Sequence, residues 1–316
     1  MNKEYVIGIC APQDSLLGAT LCAAYDAPLY PYHLSWFANG EPHIAFQHLD
    51  TIDCYHLFIV FQWNYHHATN QHISVNDQAM ALLFLIHALR TSYRKKITLI
   101  LPYIPYTRNA GKDIMCSCNA WAQQLFTAGA DHIITCDIHS PASAHCFGEK
   151  ITTFATTPFW KTLLTTQHYP LQKLCIVSPD TGGAAAAQSL SKQIGCSYAQ
   201  LHKHRPSKNT CVITHLEGVV DGMHCVIFDD MLDTGNTAVK ACLALLEHGA
   251  LSVTGCFTHG IFSPHAYHLV ANAPFSQIFL SNTILGIQTQ PSHITCADIN
   301  HFFVQEIIKG YTPAQY

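Results

Sequence analysis

Short apolar runs alternate along this chain with segments whose apolar positions recur at helical spacing. The runs YVIGIC, LFIVFQ, ITLILPY, HIITCDI, KLCIVSP, CVIFDD, SVTGCF and QIFLSN have the length and branching of strands buried on both faces. Between them lie helical patterns, clearest at 77–90 and 236–248. In the second, Val239, Cys242, Leu243 and Leu246 stand at i, i+3, i+4 and i+7. Strands separated by helices predict an α/β fold: a mainly parallel, doubly wound sheet with helices on both faces. Ligands of such sheets bind beyond the carboxyl ends of the strands, where the polar clusters of this chain also fall. Residues 125–139, LFTAGADHIITCDIH, echo 245–259, LLEHGALSVTGCFTH; in each a helix closes at Gly-Ala, a strand follows, and His139 or His259 ends it. Helix–Gly–strand joints look alike in any α/β protein, but the echo also fits two similar halves. These are expected at 1–150 and 151–316, with the boundary in the mixed segment 147–160.

Composition narrows the function classes. At 316 residues with 49% hydrophobic and 11% charged, the chain can bury a substantial core and is not a disordered sequence. A net charge of −4 without Lys/Arg blocks gives no bulk attraction for nucleic acid or an anionic membrane. No apolar stretch approaches the length of a membrane span, and the one in MNKEYVIGICAPQD is too short for a signal peptide core. The 14 cysteines are scattered without a Cys-x-x-Cys pair, and Cys136, Cys175, Cys225, Cys242 and Cys256 sit in apolar runs as small hydrophobes. A soluble protein of a reducing cytoplasm is expected. The 22 histidines lack metal-site spacing, so most are read as structural.

The most informative stretch is 225–239, CVIFDDMLDTGNTAV. A strand delivers two adjacent carboxylates, Asp229 and Asp230, into a turn rich in hydroxyls and glycine, and a helix follows. Backbone N–H groups and the positive end of a helix dipole make such a turn a phosphate cradle. Gly235 permits close backbone approach, while Thr234, Asn236 and Thr237 each offer a donor. The acidic pair suits sugar hydroxyls or a cation beside them. A second strand–turn–helix, SPDTGG at 178–183, leads from KLCIVSP into an Ala-rich helix. Other strand ends read IPYTR at 104–108 and DIHSP at 137–141, and FANGE stands at 37–41.

The 225–239 stretch resembles the binding loop for 5-phosphoribosyl 1-pyrophosphate of phosphoribosyltransferases and ribose-phosphate pyrophosphokinases. With the other strings in this order, the chain resembles the ribose-phosphate pyrophosphokinase family over nearly its full length; phosphoribosyltransferases carry the loop in a much shorter chain. The resemblance implies two similar phosphoribosyltransferase-like domains, each a mainly parallel sheet flanked by helices. The first would be the ATP side with the oligomer contacts, the second the carrier of the ribose 5-phosphate loop. It implies transfer of the β,γ-pyrophosphoryl group of Mg-ATP to the 1-hydroxyl of ribose 5-phosphate, leaving AMP. Asp233, Thr234, Gly235, Asn236 and Thr237 would hold the 5-phosphate, and Asp229 and Asp230 the ribose hydroxyls. His139 and Asp180 would sit on Mg2+ or its water. Phe37, Asn39 and Glu41 would enclose adenine from a neighbouring subunit, which implies a homo-oligomer, dimer-based and up to a hexamer. Arg108, with Asn109, would lie on the ATP phosphates. Lys203 and Arg205, in the segment Lys203-His204-Arg205-Pro206, would stand in the family's catalytic Lys-Arg-Arg loop and stabilise charge on the transferred group.

Departures from that pattern matter too. After Tyr-x-Arg the family continues Gln-Asp-Arg-Lys; here Asn109-Ala110-Gly111-Lys112-Asp113 follows, and the second arginine is absent. Losing one charge-assisted contact costs about 1.5–3 kcal/mol, roughly ten- to a hundred-fold. His204 replaces an arginine. Thr51 and the terminus KGYTPAQY replace the arginine and serines of the family's regulatory site, so weak or absent phosphate and ADP regulation is expected. The alternative function is a catalytically weak synthetase-associated regulatory or binding subunit. Retention of Lys203, Arg205, His139 and Asp180 favours the enzyme.

Overall fold

A computed structural model describes residues 5–47, 52–64, 73–110, 116–207, 210–263, 265–286 and 291–311, without side-chain detail at 5–6 and 204–214. The chain forms two compact units, one of 1–154 with 300–316 and the other of 155–299.

The first unit holds β1 (Tyr5–Pro12), α1 (Leu16–Tyr25), β2 (Leu29–Trp36), β3 (Pro42–Phe46), β4 (Cys54–Val60) and α2 (Val75–Ser92). It continues with β5 (Lys96–Ile100), α3 (Ser117–Ala128), β6 (His132–Cys136), α4 (Pro141–His145) and β7 (Ile151–Phe154). Its seven strands run β3-β2-β1-β4-β5-β6-β7, and all neighbours are parallel except the β2–β3 hairpin. The second unit holds α5 (Thr157–Thr165), β8 (Leu174–Ser178), α6 (Ala184–Ile194), β9 (Ser197–Ser207), β10 (Thr210–Glu217) and β11 (His224–Leu232). Next come α7 (Asn236–Glu247), β12 (Ser252–Gly260), α8 (Ala266–Ala271), β13 (Gln277–Ser281) and β14 (Ile294–Ala297). The order β10-β9-β8-β11-β12-β13-β14 repeats that of the first sheet, again with one antiparallel pair at the same edge.

Strand alternation builds the second unit's two cores. On β8 and β11, Cys175, Val177, Cys225 and Ile227 face a cluster with Ala238, Ala241, Cys242 and Leu245 of α7. The intervening Leu174, Ile176, Val226 and Phe228 face the other way, onto Trp160 and Leu164 of α5 and Ala187 and Leu190 of α6. Because both faces are covered, these strands read as unbroken apolar runs. The α/β class with two similar halves is thus observed. The particular echo is not: β6 is sixth in its sheet, whereas β12 is fifth in its own, so 125–139 and 245–259 are not equivalent. Their likeness is the generic helix–Gly–strand joint.

The expected second half, 151–316, also needs correction. The final helix α9 (Asn300–Gly310) belongs to the first unit. Phe303, Val304 and Ile307 pack with Leu17 and Leu21 of α1 against Ile9, Phe58 and Ile100. Tyr311 then seals the helix end, its hydroxyl 2.9 Å from Thr98 Oγ1 and 3.4 Å from His56 Nε2. The apolar stripe of α9 completes a core begun near the N-terminus, so chain order is a poor guide to its partner. Among the described residues no helix is long and apolar enough to cross a membrane.

Candidate active site

In the second unit the chain leaves β8 for β9 on one side and returns to β11 on the other. The β8/β11 boundary is therefore a switch point, where the loops beyond adjacent strands diverge and leave a crevice. Three predicted segments meet there. Beyond β8, Ser178 Oγ donates to Asp180 O at 2.7 Å, and Asp180 Oδ1 accepts from the Gly182 and Gly183 N–H groups at 2.7 and 3.2 Å. The other Asp180 oxygen forms an ion pair with the Lys203 ammonium. That pairing follows from register: Gln200 on β9 lies opposite Ser178, the last residue of β8, so Lys203 stands past the end of β8 alongside Asp180.

Asp229 and Asp230 come from the adjacent strand β11. The Asp230 N–H donates to Asp229 Oδ1 at 3.0 Å. A Cβ on residue 183 would lie 3.0 Å from Asp229 Oδ1, and one on residue 182 would lie 3.1 Å from Asp180 Oδ1. Two glycines therefore let this turn press its backbone against both carboxylates. Burial, then the charges of Asp230 and Asp180, push the Asp229 carboxyl well above the usual carboxylate range. Asp180 goes the opposite way. Burial alone would raise it, but the Lys203 hydrogen bond and charge, with the Gly183 and Gly182 amides, hold it below its ordinary value.

The 233–237 turn joins β11 to α7. Gly235 N-caps α7 at φ +78°, and no side chain caps the helix. The exposed Thr234 and Asn236 and the half-buried Thr237 surround that N-terminus, which suits an anion. Asp233 accepts from the Ser263 hydroxyl, and the Ser263 N–H donates to Asp233 O at 3.3 Å, which fastens the turn from beneath. Ser263 and Val270, which lies under Gly235, escaped the sequence reading because neither adjoins the motif.

The first unit places its predicted residues beyond the carboxyl ends of its own strands. Phe37, Asn39 and Glu41 form the β2–β3 turn. Phe37 N–H donates to Glu41 O at 2.9 Å, Gly40 N–H to Phe37 O at 2.9 Å, and Glu41 N–H to Asn39 Oδ1 at 3.2 Å. All three side chains are exposed. Arg108 and Asn109 follow β5 with exposed side chains, and the exposed His139 follows β6. The segment before Arg108 is firmly held: Tyr106 (φ +64°) donates its hydroxyl to Asn76 Oδ1 at 2.7 Å and packs 5.2 Å from the Trp121 ring.

Two family models cover both units. One described as the N-terminal domain of ribose phosphate pyrophosphokinase matches residues 9–129, and one described as a phosphoribosyl transferase domain matches 159–279. Ribose-phosphate pyrophosphokinase 2 of Saccharomyces cerevisiae is 37% identical over 213 residues, covering 66% of this chain and 67% of the yeast protein. The ribose-phosphate pyrophosphokinase of Maricaulis maris is 30% identical over 282 residues, 88% of this chain and 86% of that one. The solved phosphoribosylpyrophosphate synthetase of Mycobacterium smegmatis superposes with a TM-score of 0.78 at 25% identity, covering 96% of this chain and 99% of that one. The chain belongs to the ribose-phosphate pyrophosphokinase family. Membership makes it a diphosphate-transferring enzyme by class.

Seen as a ribose-phosphate pyrophosphokinase, the chain differs from its sequence reading in one element. The Lys203–Pro206 segment, taken as a loop, belongs to strand β9, hydrogen-bonded to β10 with a register shift between Ile213 and His215. Its run of Lys, His and Arg hid the strand because a polar run is also the usual mark of a turn. The Arg205 side chain, Lys112, Thr51 and the last five residues lie outside the described residues. His259, singled out by the echo, is buried and bonds Thr283 Oγ1 at 3.0 Å, a structural role.

The acidic cluster also bears on a metal. Asp229, crowded by two further carboxylates, leaves the crevice with surplus negative charge and hard oxygen donors, which fits Mg2+. Among the described residues no three His, Cys, Asp or Glu side chains form a ready cage.

Proposed function

We propose that the protein is a ribose-phosphate diphosphokinase, converting ATP and ribose 5-phosphate to 5-phosphoribosyl 1-pyrophosphate and AMP. The observation that carries this reading is the convergence at one switch point of an uncapped helix N-terminus, an acidic pair and a lysine. The 5-phosphate would rest on the 233–237 turn, where backbone N–H groups and the helix dipole meet it. Asp229 and Asp230 would accept hydrogen bonds from the ribose hydroxyls and so aim the 1-hydroxyl.

Transfer of a diphosphoryl group needs positioning and charge neutralisation more than covalent catalysis. Lys203 is the described cation best placed for this. Asp180 holds its ammonium from the neighbouring strand's loop, with Lys203 itself inside β9. An incoming polyphosphate would compete for it, so the ion pair acts as a rest position. Arg205, two residues on, would add bidentate contact to the transferred group or to departing AMP. Arg108 and Asn109 would bind the ATP phosphates, and Phe37, Asn39 and Glu41 the adenine of an ATP bound to a neighbouring subunit of a homo-oligomer. Asp180 and His139 would hold Mg2+ or its water; the metal, when bound, neutralises triphosphate charge. The cysteine-rich core suits a reducing cytoplasm.

The test is AMP formation from Mg-ATP with and without ribose 5-phosphate, alongside Lys203→Ala. AMP that requires the sugar and falls at least a hundred-fold in the variant supports the reading. Well-folded protein that binds ribose 5-phosphate without turnover points instead to the synthetase-associated binding subunit.

A further inference from the structure

Two thiols of the first unit lie in contact beside a segment assigned to ATP. Cys116 N-caps α3 and Cys146 ends α4, and their Sγ atoms are 3.9 Å apart. A disulfide requires about 2.05 Å, so closing it brings the two sulfurs about 1.9 Å nearer. The neighbourhood ties this pair to the Tyr106–Asn109 segment. Cys116 Sγ donates to Asn109 O at 2.8 Å, and the Cys118 N–H reaches the same oxygen at 3.3 Å. Ser143 Oγ, from α4, donates to Thr107 O at 2.7 Å, and Ser117 Oγ to Tyr106 O at 3.4 Å. Three carbonyls around Arg108 are thus fastened by the first turn of α3 and by α4. The same α4 begins two residues after His139.

We propose that Cys116 and Cys146 form a reversible disulfide in response to peroxide-class oxidants, and that closing it displaces the Arg108–Asn109 segment and lowers turnover. Its effect on turnover rests on the diphosphokinase reading; the bond itself does not. Cys146 is partly exposed and Cys116 is buried, so peroxide reaches Cys146 first. The Cys146 thiolate attacks one peroxide oxygen, the O–O bond breaks, and the leaving hydroxide takes up the proton the thiol had released, giving a sulfenic acid and one water. The Cys116 sulfur then attacks the sulfenic sulfur, displacing the hydroxyl as a second water. In sum, two thiols and one hydrogen peroxide give one disulfide and two waters, with two electrons passing from sulfur to peroxide. Reduction by a small dithiol reverses it by exchange. The Cys116 S–H that donated to Asn109 O is consumed, so the tie is lost as the bond forms. Burial holds the Cys146 thiol above its ordinary value, so the reaction quickens as pH rises.

The experiment treats the full chain with hydrogen peroxide at alkaline pH. It then maps linked peptides by mass spectrometry without reduction and measures AMP formation and amide exchange at 106–109. The expected result is a Cys116–Cys146 peptide pair, faster exchange at 106–109 and about a ten-fold loss of turnover, as for one weakened charge-assisted contact. Dithiothreitol reverses all three. Cys146→Ser keeps the activity of the reduced protein and resists peroxide, while Cys118→Ser still switches. Absence of the pair when the other exposed thiols are oxidised overturns the proposal, and so does a pair that leaves exchange and turnover unchanged. If the reduced protein has no turnover at all, the diphosphokinase reading fails. The linked pair with faster exchange would still stand as the switch.

Discussion

Gly235→Ala tests how the phosphate cradle is built. Gly235 sits at φ +78°, where an alanine is strained by about 1–2 kcal/mol. The added Cβ would also lie 2.5 Å from Val270 Cγ2, well inside contact distance. Val270 is fully buried in the core under α7 and cannot swing into solvent. Overpacking of that kind costs about 1–3 kcal/mol. The total expected is about 2–5 kcal/mol for the unit that carries β11 and α7. Removing the obstacle with Val270→Ala costs about 2 kcal/mol by itself, through lost burial and a small cavity. The double variant should then be about 1–3 kcal/mol more stable than the sum of the two losses predicts. Urea unfolding followed by circular dichroism, with hydrogen exchange at α7 assigning the transition, reads these values. Ribose 5-phosphate affinity should stay low in the double variant, because the positive φ that aims the turn is still disfavoured. A Gly235→Ala change within 0.5 kcal/mol of wild type, or strict additivity with Val270→Ala, would refute the reasoning.

Other expectations follow from the electrostatics. Asp229→Asn should raise the melting temperature of the ligand-free protein at neutral pH while removing ribose-dependent AMP formation. The native carboxyl binds its proton more tightly than the unfolded one, so the wild type loses stability as pH rises from the ordinary carboxylate range toward the raised native value. The gap between variant and wild type should widen over that window, and melting curves against pH measure it. His56 and His132 behave in the opposite sense. Burial, then the Lys96 charge, lowers each from an ordinary 6.5 to about 4. The unfolded chain therefore takes up more protons between those values, and stability that is full above pH 6.5 is lost as pH falls toward 4. The loss is about 3 kcal/mol for each histidine, discounted for their mutual repulsion, and His56→Asn should flatten the acid limb of the first unit's unfolding curve. Steady-state kinetics should show simple competitive inhibition by ADP and little phosphate activation; a strongly sigmoidal ADP curve would contradict the reading of Thr51.

The strands legible in the sequence were those buried on both faces. β1, β4, β5, β6, β8, β11, β12 and β13 announce themselves because helices cover both sides and apolar residues fill most positions. The edge strands β3, β7, β10 and β14 did not, nor did β2 and β9, whose residues are mixed because one face or one edge meets solvent. The Lys203–Pro206 segment was taken as a loop for that reason: it has a strand's backbone and a polar sequence. The strand–turn–helix order of 225–239 was legible because its residues are contiguous: β11 runs to Leu232 and α7 begins at Asn236. What stayed hidden was whatever the fold brings from afar. The Asp180–Lys203 ion pair, the Ser263 tie to Asp233 and the docking of α9 on the first core all depend on register between distant segments.

The most direct test of the central claim is phosphorus NMR of Mg-ATP turning over with ribose 5-phosphate. AMP and a diphosphate ester at carbon 1 of the sugar are expected in equal amounts, with both signals lost in Lys203→Ala. ADP as the nucleotide product would mean transfer of a single phosphoryl group. Unchanged ATP would mean no transfer at all, and either result would contradict the assignment.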